Sequence, residues 1–411
     1  MAYQGRYNSG ADKGGSKRRG SKGSAGTAWK IVLAVVLTFV LTLGLLAGAV
    51  LWYVNTKLGK VNQATFEDKD VSGQDLSGLI GNLDETAPPQ VDNTVPATEP
   101  PTEPPTEAPT EPDYGQTGKV VNILVVGQDY RQGEAHKLAD CIMLLTLNKE
   151  THTLVLTSFL RDSYVKLSNY AGHSCGWNRI NTAYALGYSW RGDAGAMEML
   201  NETLEENYGV KVDGNVEFSF ETFIRVIDAI GGVEVELYGD ELDYLMDMLN
   251  RYKAQYNLTI EPGDPEYERT NIHEGTCTLY DNFALEYVRA RHVNAGDNDM
   301  NRTTRQQKVL SQVLKKLQAL SPLELNSLID QVLGEITTNI SADDLKVYIQ
   351  ELTPYLFDLN LVSNQIPVYG TYKGEMKELP DGLSGVLVNY NFQKNKDIMA
   401  AVQAGELPPT E

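Results

Sequence analysis

The chain has 411 residues, 42% of them hydrophobic, and a formal net charge of -20. That length holds a leader, a linker and one large domain or two small ones. The acidic balance excludes a broad basic surface for nonspecific nucleic-acid binding, and three cysteines are too few for a disulfide framework to stand in for a core.

Residues 1–30 are rich in Gly, Ser, Lys and Arg and predict a disordered basic tail. Residues 31–54 carry no charged side chain, and a bilayer span needs about 20 apolar residues. Arg6, Lys13, Lys17, Arg18, Arg19, Lys22 and Lys30 precede this stretch, against Asp12; Lys57, Lys60 and Lys69 follow it, mixed with Glu67, Asp68 and Asp70. The bias predicts a cytoplasmic N-terminus and a C-terminal domain outside, on a single-pass protein of the cell membrane. Trp52 and Tyr53 are placed as an interfacial anchor. A signal peptide cut at Ala47-Gly48-Ala49 is the rival reading, but its apolar region would be too long. Residues 55–118 read as an extracellular stalk and linker. The Pro-Thr-Glu units of 86–113 favour polyproline II and form no core. Fully extended they reach about 85 Å, the spacer of a domain lifted off the membrane.

The folded domain is expected over 119–408. Val120–Gly127, Cys141–Leu147 and Thr153–Leu160 are continuous apolar runs, suited to a sheet covered on both faces. Helical patterns follow at 180–187, 194–207 and 219–230. Gly231-Gly232 stops the last, and Val233–Leu237 reads as a strand. Residues 241–253 predict a helix, 255–282 an irregular insertion carrying Pro262, Gly263, Pro265 and Gly275. Further helices are predicted at 302–319, 322–334, 342–354 and 393–404, with a strand over 360–367. The alternation predicts an α/β layered fold.

Chemistry concentrates at strand ends and in one arginine cluster. The first strand ends Gly127-Gln128-Asp129-Tyr130-Arg131, Asp140 opens the second, and the third ends Leu160-Arg161-Asp162. Ligands of open α/β sheets bind at the carboxyl ends of strands. Asp129, Asp140 and Asp299 are candidate ligands of a hard cation such as Mg²⁺. Arg289 and Arg291, two apart, point one way if extended; Arg302, Arg305 and Gln306 share a helical face. Guanidinium groups fork onto phosphate oxygens, so the cluster reads as an anion clamp. A salt-bridged helix surface is the bland alternative, since Asp297 and Asp299 lie nearby. Asn181 caps the following helix or joins the site. Cys141 reads as a buried small hydrophobe; Cys175 and Cys277 leave a disulfide or two free thiols open. The five histidines show no metal-ligand spacing, and no GxSxG elbow or Walker loop occurs.

Six ordered segments carry a resemblance over about residues 119–320. They are Asn122–Arg131 with Ala139-Asp140, Ser158-Phe-Leu-Arg161-Asp162, Asn181–Gly187, Phe220–Val233, Tyr287-Val-Arg289-Ala-Arg291, and Asp299-Met-Asn-Arg302-Thr-Thr-Arg305-Gln306-Gln307. Together they resemble the LytR–CpsA–Psr family of bacterial cell-wall enzymes. The resemblance implies an α/β/α sandwich with a central mixed sheet and an apolar groove for a polyprenyl chain. It implies a phosphotransferase moving an anionic glycopolymer, of teichoic acid or capsular polysaccharide type, from an undecaprenyl-pyrophosphate carrier to peptidoglycan. Pyrophosphate binding then falls to Arg131, Arg161, Arg289, Arg291, Arg302, Arg305 and Gln306. Asp129 and Asp140 would hold Mg²⁺ or Mn²⁺, and Arg161, Asp129, Asp140 and Asp299 would serve catalysis.

The chain departs from the family pattern at Leu138-Ala139-Asp140-Cys141, where Arg-Ser-Asp-Thr is usual. One phosphate-binding arginine is missing, and whether Lys137, one place earlier, substitutes for it stays open. Two alternatives stay open: a lipid-pyrophosphate hydrolase using the same site with water as acceptor, and a non-catalytic wall-polymer binding or sensory protein, to which the departure at Leu138 lends weight. A regulator acting through its cytoplasmic tail is disfavoured, because the tail is too short and polar for a folded DNA-binding domain.

Overall fold

The computed structural model describes residues 61–69, 76, 77, 79–81, 83, 87, 119–128, 137–264, 266–290, 299–319, 324, 336–352, 360–380 and 382–408. The expected span at 31–54, nearly all of the Pro-Thr-Glu tract and nearly all of the expected helix at 322–334 lie outside them. No helix among the described residues is long and apolar enough to cross a membrane.

In chain order the strands are β1 (Asn62–Gln63), β2 (Val120–Gln128), β3 (Ala139–Asn148), β4 (Thr153–Phe159), β5 (Ser163–Lys166), β6 (Trp177–Arg179), β7 (Gly214–Ser219), β8 (Val233–Leu237), β9 (Gly275–Leu279), β10 (Thr337–Thr338), β11 (Asn360–Ile366), β12 (Tyr372–Leu379) and β13 (Gly382–Asn389). The helices are α1 (Asn181–Tyr208), α2 (Phe220–Ala229), α3 (Gly239–Tyr256), α4 (Tyr267–Thr270), α5 (Asp281–Arg289), α6 (Asp299–Ala319), α7 (Ala342–Leu352) and α8 (Phe392–Gln403).

The main sheet runs β1-β10-β7-β2-β3-β4-β11 and is mixed. Strand β3 lies antiparallel between β2 and β4, while β7 and β11 run parallel to β2 and β4. All seven residues of β4 are buried, as the apolar runs require of a strand covered on both faces. Alternation within β2 and β3 divides the coverage. Leu124, Val126, Ile142 and Leu144 pack with α1 and α8 in one core. Met143 and Leu156 face Leu310 and Leu314 of α6 on the other side. There α2, α5 and the β8–β9 ribbon build a second core around Ile227, Leu279 and Tyr287. A smaller sheet, β12-β13-β5-β6, adjoins them.

Helix α1 joins the two helices read at 180–187 and 194–207. It breaks direction at Arg191 and Gly192, the latter at φ 68°, a conformation open to glycine. Its first turn corrects the capping expectation: Asn181 makes no cap, and its Oδ1 is buried without a partner.

Two other expectations are corrected, one hairpin is added, and the two readings of Cys175 and Cys277 are resolved. The fold does not begin at Lys119. Asn62–Gln63 pair with β10, the Lys69 amide donates to the Trp190 carbonyl at 3.0 Å, and Leu76 and Leu79 are buried in the α1 core. Single apolar residues in a polar stretch leave no periodic signal, so this strap reads as stalk. The 255–282 segment is not irregular throughout, since β9 pairs antiparallel with β8. The β12–β13 hairpin was not expected; Lys, Glu and Gly along β12 mask its alternation. Finally, Cys175 and Cys277 are free and buried, one in each of the two large cores, and Cys277 lies in a strand. Burial pushes the Cys175 thiol up to about 11.

Candidate active site

Between the sheet and the α2–α5–α6 layer lies a cavity of about 770 Å³. Its floor is Val125 and Gly127 of β2, Cys141 and Met143 of β3, and Val216 and Phe218 of β7. Its roof is Phe223, Val226 and Ile227 of α2, Leu285 and Val288 of α5, and one stripe of α6. That stripe reads Arg302, Gln306, Val309, Leu310, Val313. The spacing of three and four keeps one helical face on the cavity, and the twelve residues from Arg302 to Val313 carry it about 16 Å along the axis. A β-carbon on Gly127 would approach Phe218 Cζ to 2.9 Å and Cys141 Cβ to 3.0 Å, so the missing side chain lets the Phe218 ring and Cys141 close onto the floor.

The cavity is polar at one end and apolar at the other. Helix α6 passes from Arg302 and Gln306 to Val309, Leu310 and Val313. Strand β3 passes from Asp140 to Met143, and β2 ends at this same edge. Asp140, Arg289, Arg302, Gln306 and Glu286 supply the polar lining, with Thr222 of α2. Arg161 follows β4 and pairs with Asp140 through Nη1, while its Nε lies 3.4 Å from Asp162. Arg289 closes α5, its guanidinium 4.3 Å from the centre of the Phe220 ring and its Nη1 3.3 Å from Glu286. Gln306 Nε2 lies 3.5 Å from the Val288 carbonyl. Burial pushes the Cys141 thiol up to about 12, against the charge of Arg302 nearby, so the sulfur contributes neutral, apolar lining.

Several predicted residues thus come together: Asp140, Arg161, Arg289, Arg302 and Gln306. Others do not. Arg305 does not line the cavity. It is buried, with Nη1 3.0 Å from Glu241 of α3 and Nη2 donating to the Ala290 carbonyl at 2.6 Å. The expected shared face fails because Arg302 and Gln306, four apart, stay on the cavity while Arg305 turns toward α3. Arg289 ends a helix, which corrects its reading as extended backbone beside Arg291. Lys137 does not replace the missing arginine. Its Nζ lies 2.9 Å from Asp193 of α1 and 3.5 Å from Glu217 of β7, and it is absent from the cavity lining. Glu217 also accepts from Gln128 and Tyr184, a buried network on the α1 side of the sheet. Leu138 packs against the α1 core. Asp129, Arg131 and Arg291 lie outside the described residues. Asp299 opens α6, and its side chain is outside them too.

Sequence reasoning missed Glu286, Thr222 and Phe220. Glu286 stands three residues before Arg289, a helical spacing that carried the signal. Gln307 is structural: its Nε2 donates to Ser158 Oγ at 3.0 Å and to the Asn364 carbonyl at 2.7 Å, tying α6 to β4 and β11. Among the described residues no three His, Cys, Asp or Glu side chains gather as metal ligands.

Comparison with known proteins decides the family. The model of the LytR_cpsA_psr family matches residues 92–379. The chain belongs to that family. Among curated LytR_cpsA_psr relatives, biofilm regulatory protein A of Streptococcus mutans is 29% identical over 54% of this chain and 50% of its own length. A polyisoprenyl-teichoic acid–peptidoglycan teichoic acid transferase, TagU of Oceanobacillus iheyensis, is 28% identical over 55% of this chain and 61% of its own. The match thus spans between half and about three fifths of these relatives. The crystal structure of protein gbs0355 from Streptococcus agalactiae shares the fold, with a TM-score of 0.51 at 23% identity over 71% of this chain and 90% of that one.

Proposed function

We propose that this protein transfers an anionic glycopolymer, of teichoic acid or capsular type, from a polyprenyl-pyrophosphate carrier such as the undecaprenyl lipid to peptidoglycan. The observation that carries this reading is the cavity itself, lined mostly by apolar side chains with Arg289 and Arg302 among its polar ones; in this reading it takes a hydrocarbon chain and a pyrophosphate. Burying apolar chain is worth about 0.8 kcal/mol per methylene, and guanidinium groups bind phosphate oxygens with charge-assisted hydrogen bonds. Relatives named as teichoic acid transferases support the same substrate class.

Phosphoryl transfer rests on alignment and charge neutralisation more than on covalent chemistry. An acceptor hydroxyl oxygen attacks the phosphorus next to the glycopolymer. The bond from that phosphorus to the bridging oxygen breaks, polyprenyl phosphate leaves, and a phosphodiester remains. Asp140 or Asp299 accepts the hydroxyl proton. Arg161, Arg289 and Arg302 stabilise charge on the phosphates as it moves to the leaving group. Asp140 is a carboxylate on the cavity wall, and Mg²⁺ is commonly held by one or two carboxylates and substrate phosphates. It would thus hold Mg²⁺ or Mn²⁺ together with Asp129, adding charge neutralisation at the pyrophosphate. In this reading residues 31–54 anchor the protein in the membrane where its lipid donor resides.

The test is transfer of polymer from a polyprenyl-pyrophosphate donor to peptidoglycan by the full chain in detergent. Polymer bound to peptidoglycan, lost at least tenfold in Arg302→Ala, supports the reading. Polymer phosphate released into water identifies a hydrolase instead. Binding of donor without turnover identifies a wall-polymer receptor.

A further inference from the structure

Arg289 is held by more than its own backbone. Its guanidinium rests on the Phe220 ring, and Nη1 meets Glu286 Oε1 at 3.3 Å. The second oxygen of that carboxylate, Oε2, accepts from the Tyr244 hydroxyl at 3.1 Å. The Glu286 carboxylate therefore bridges α3 and α5 at the cavity wall. Its own helix supplies Arg289, and the neighbouring helix fixes it from behind. Both Glu286 and Arg289 line the cavity and both are half-buried.

An arginine side chain carries several rotatable bonds, and ordering it at the moment of binding costs affinity. Stacking on Phe220 restricts the plane of the guanidinium, and the carboxylate restricts its rotation within that plane. A group set before the ligand arrives loses less on binding. The carboxylate also brings a negative charge close to where a phosphate would sit, which opposes binding. Its two fixed hydrogen-bond partners favour the ordering effect, because they hold the charge on the arginine and on the hydroxyl.

We propose that Glu286 is a positioning residue for a prenyl pyrophosphate: braced by Tyr244, it presets Arg289 for the phosphates. The proposal rests on the lipid-pyrophosphate reading of the cavity. It adds a carboxylate, and a tyrosine behind it, whose effect passes through one arginine.

The test is calorimetric binding of geranylgeranyl pyrophosphate to the full chain in detergent, with Mg²⁺. Wild type is compared with Glu286→Ala, Glu286→Asp, Glu286→Gln and Tyr244→Phe, each also in the Arg289→Ala background. Glu286→Ala is expected to weaken binding about fivefold to tenfold. Glu286→Asp, which keeps the charge but loses one methylene of reach, is expected to follow it. Glu286→Gln, which keeps an acceptor in place, should stay within about twofold, and Tyr244→Phe should fall between. In the Arg289→Ala background all these differences should vanish. Unchanged or tighter binding in Glu286→Asp overturns the proposal. So does a Glu286→Ala effect that survives without Arg289. If Glu286→Ala fails to fold, the Asp and Gln variants decide alone. If wild type binds no prenyl pyrophosphate, the reading of the cavity fails, a result distinct from failure of the positioning role.

Discussion

Replacing Arg305 by alanine should damage the fold and largely spare ligand binding, the reverse of what its place in the arginine cluster suggests. Its side chain is 4% exposed. Removing it leaves the Ala290 carbonyl, now bonded at 2.6 Å, buried without a donor, at about 1–3 kcal/mol. The partner Glu241 is partly exposed, so losing that ion pair adds only about 1 kcal/mol. With the packing of the stem lost as well, the total is about 3 kcal/mol. For a domain of this size, about 2–4 °C per kcal/mol makes the melting temperature fall by about 6–12 °C. Arg289→Ala is the control. Its side chain is half-buried on the cavity, so it should melt within about 2 °C of wild type while prenyl-pyrophosphate affinity falls at least tenfold. Thermal melts and calorimetry on the two variants separate the roles. If Arg305→Ala melts with wild type and loses the ligand, the assignment of Arg305 to the α3 contact is refuted.

Burial and the neighbouring Glu198, Glu206 and Glu205 push the Glu202 carboxyl up to about 7. A raised carboxyl contributes stability below its unfolded value and loses it as pH rises through the folded one. Glu202→Gln should therefore match wild type at pH 4.5 and exceed it at pH 8 by about 1 kcal/mol after solvent screening; equal melting temperatures at pH 8 would refute this. Val313→Trp should block the apolar end of the cavity. Long prenyl pyrophosphates should then lose affinity at least tenfold while short ones keep theirs; equal losses for both lengths would place the chain elsewhere. Cell fractionation should find full-length protein in the membrane with the domain open to external protease, and a species beginning near Leu51 in the medium would refute the anchor.

Strands β2, β3, β4, β8 and β11 and most of the helices were legible because their signals are local. Strand β8 spans Val233–Leu237, the residues read after Gly231-Gly232, because a glycine stop and alternation need no distant partner. The cavity arginines were legible because arginine is conspicuous in an acidic chain. What could not be read depended on contacts far apart in sequence. Arg302 and Arg305 are one residue type on one helix, and only the position of α3 sends the second into a structural bond. Lys137 sits beside the missing arginine, yet Asp193 and Glu217 draw it to the far side of the sheet. Glu286 gains its meaning from Tyr244, 42 residues earlier.

The strap formed by residues 61–69, Leu76 and Leu79 changes what the Pro-Thr-Glu tract can do. The chain is woven into the core before the tract and again after it, at β2. A spacer has the membrane at one end and the domain at the other, but this tract has the same domain at both. Lengthening it cannot raise the domain, and by loop-closure entropy each doubling changes stability by only about 0.6 kcal/mol. One protease cut there would not release the domain either. The two pieces, separate on a denaturing gel, would travel together through a sizing column, clasped by β1 on β10 and by two leucines in the core.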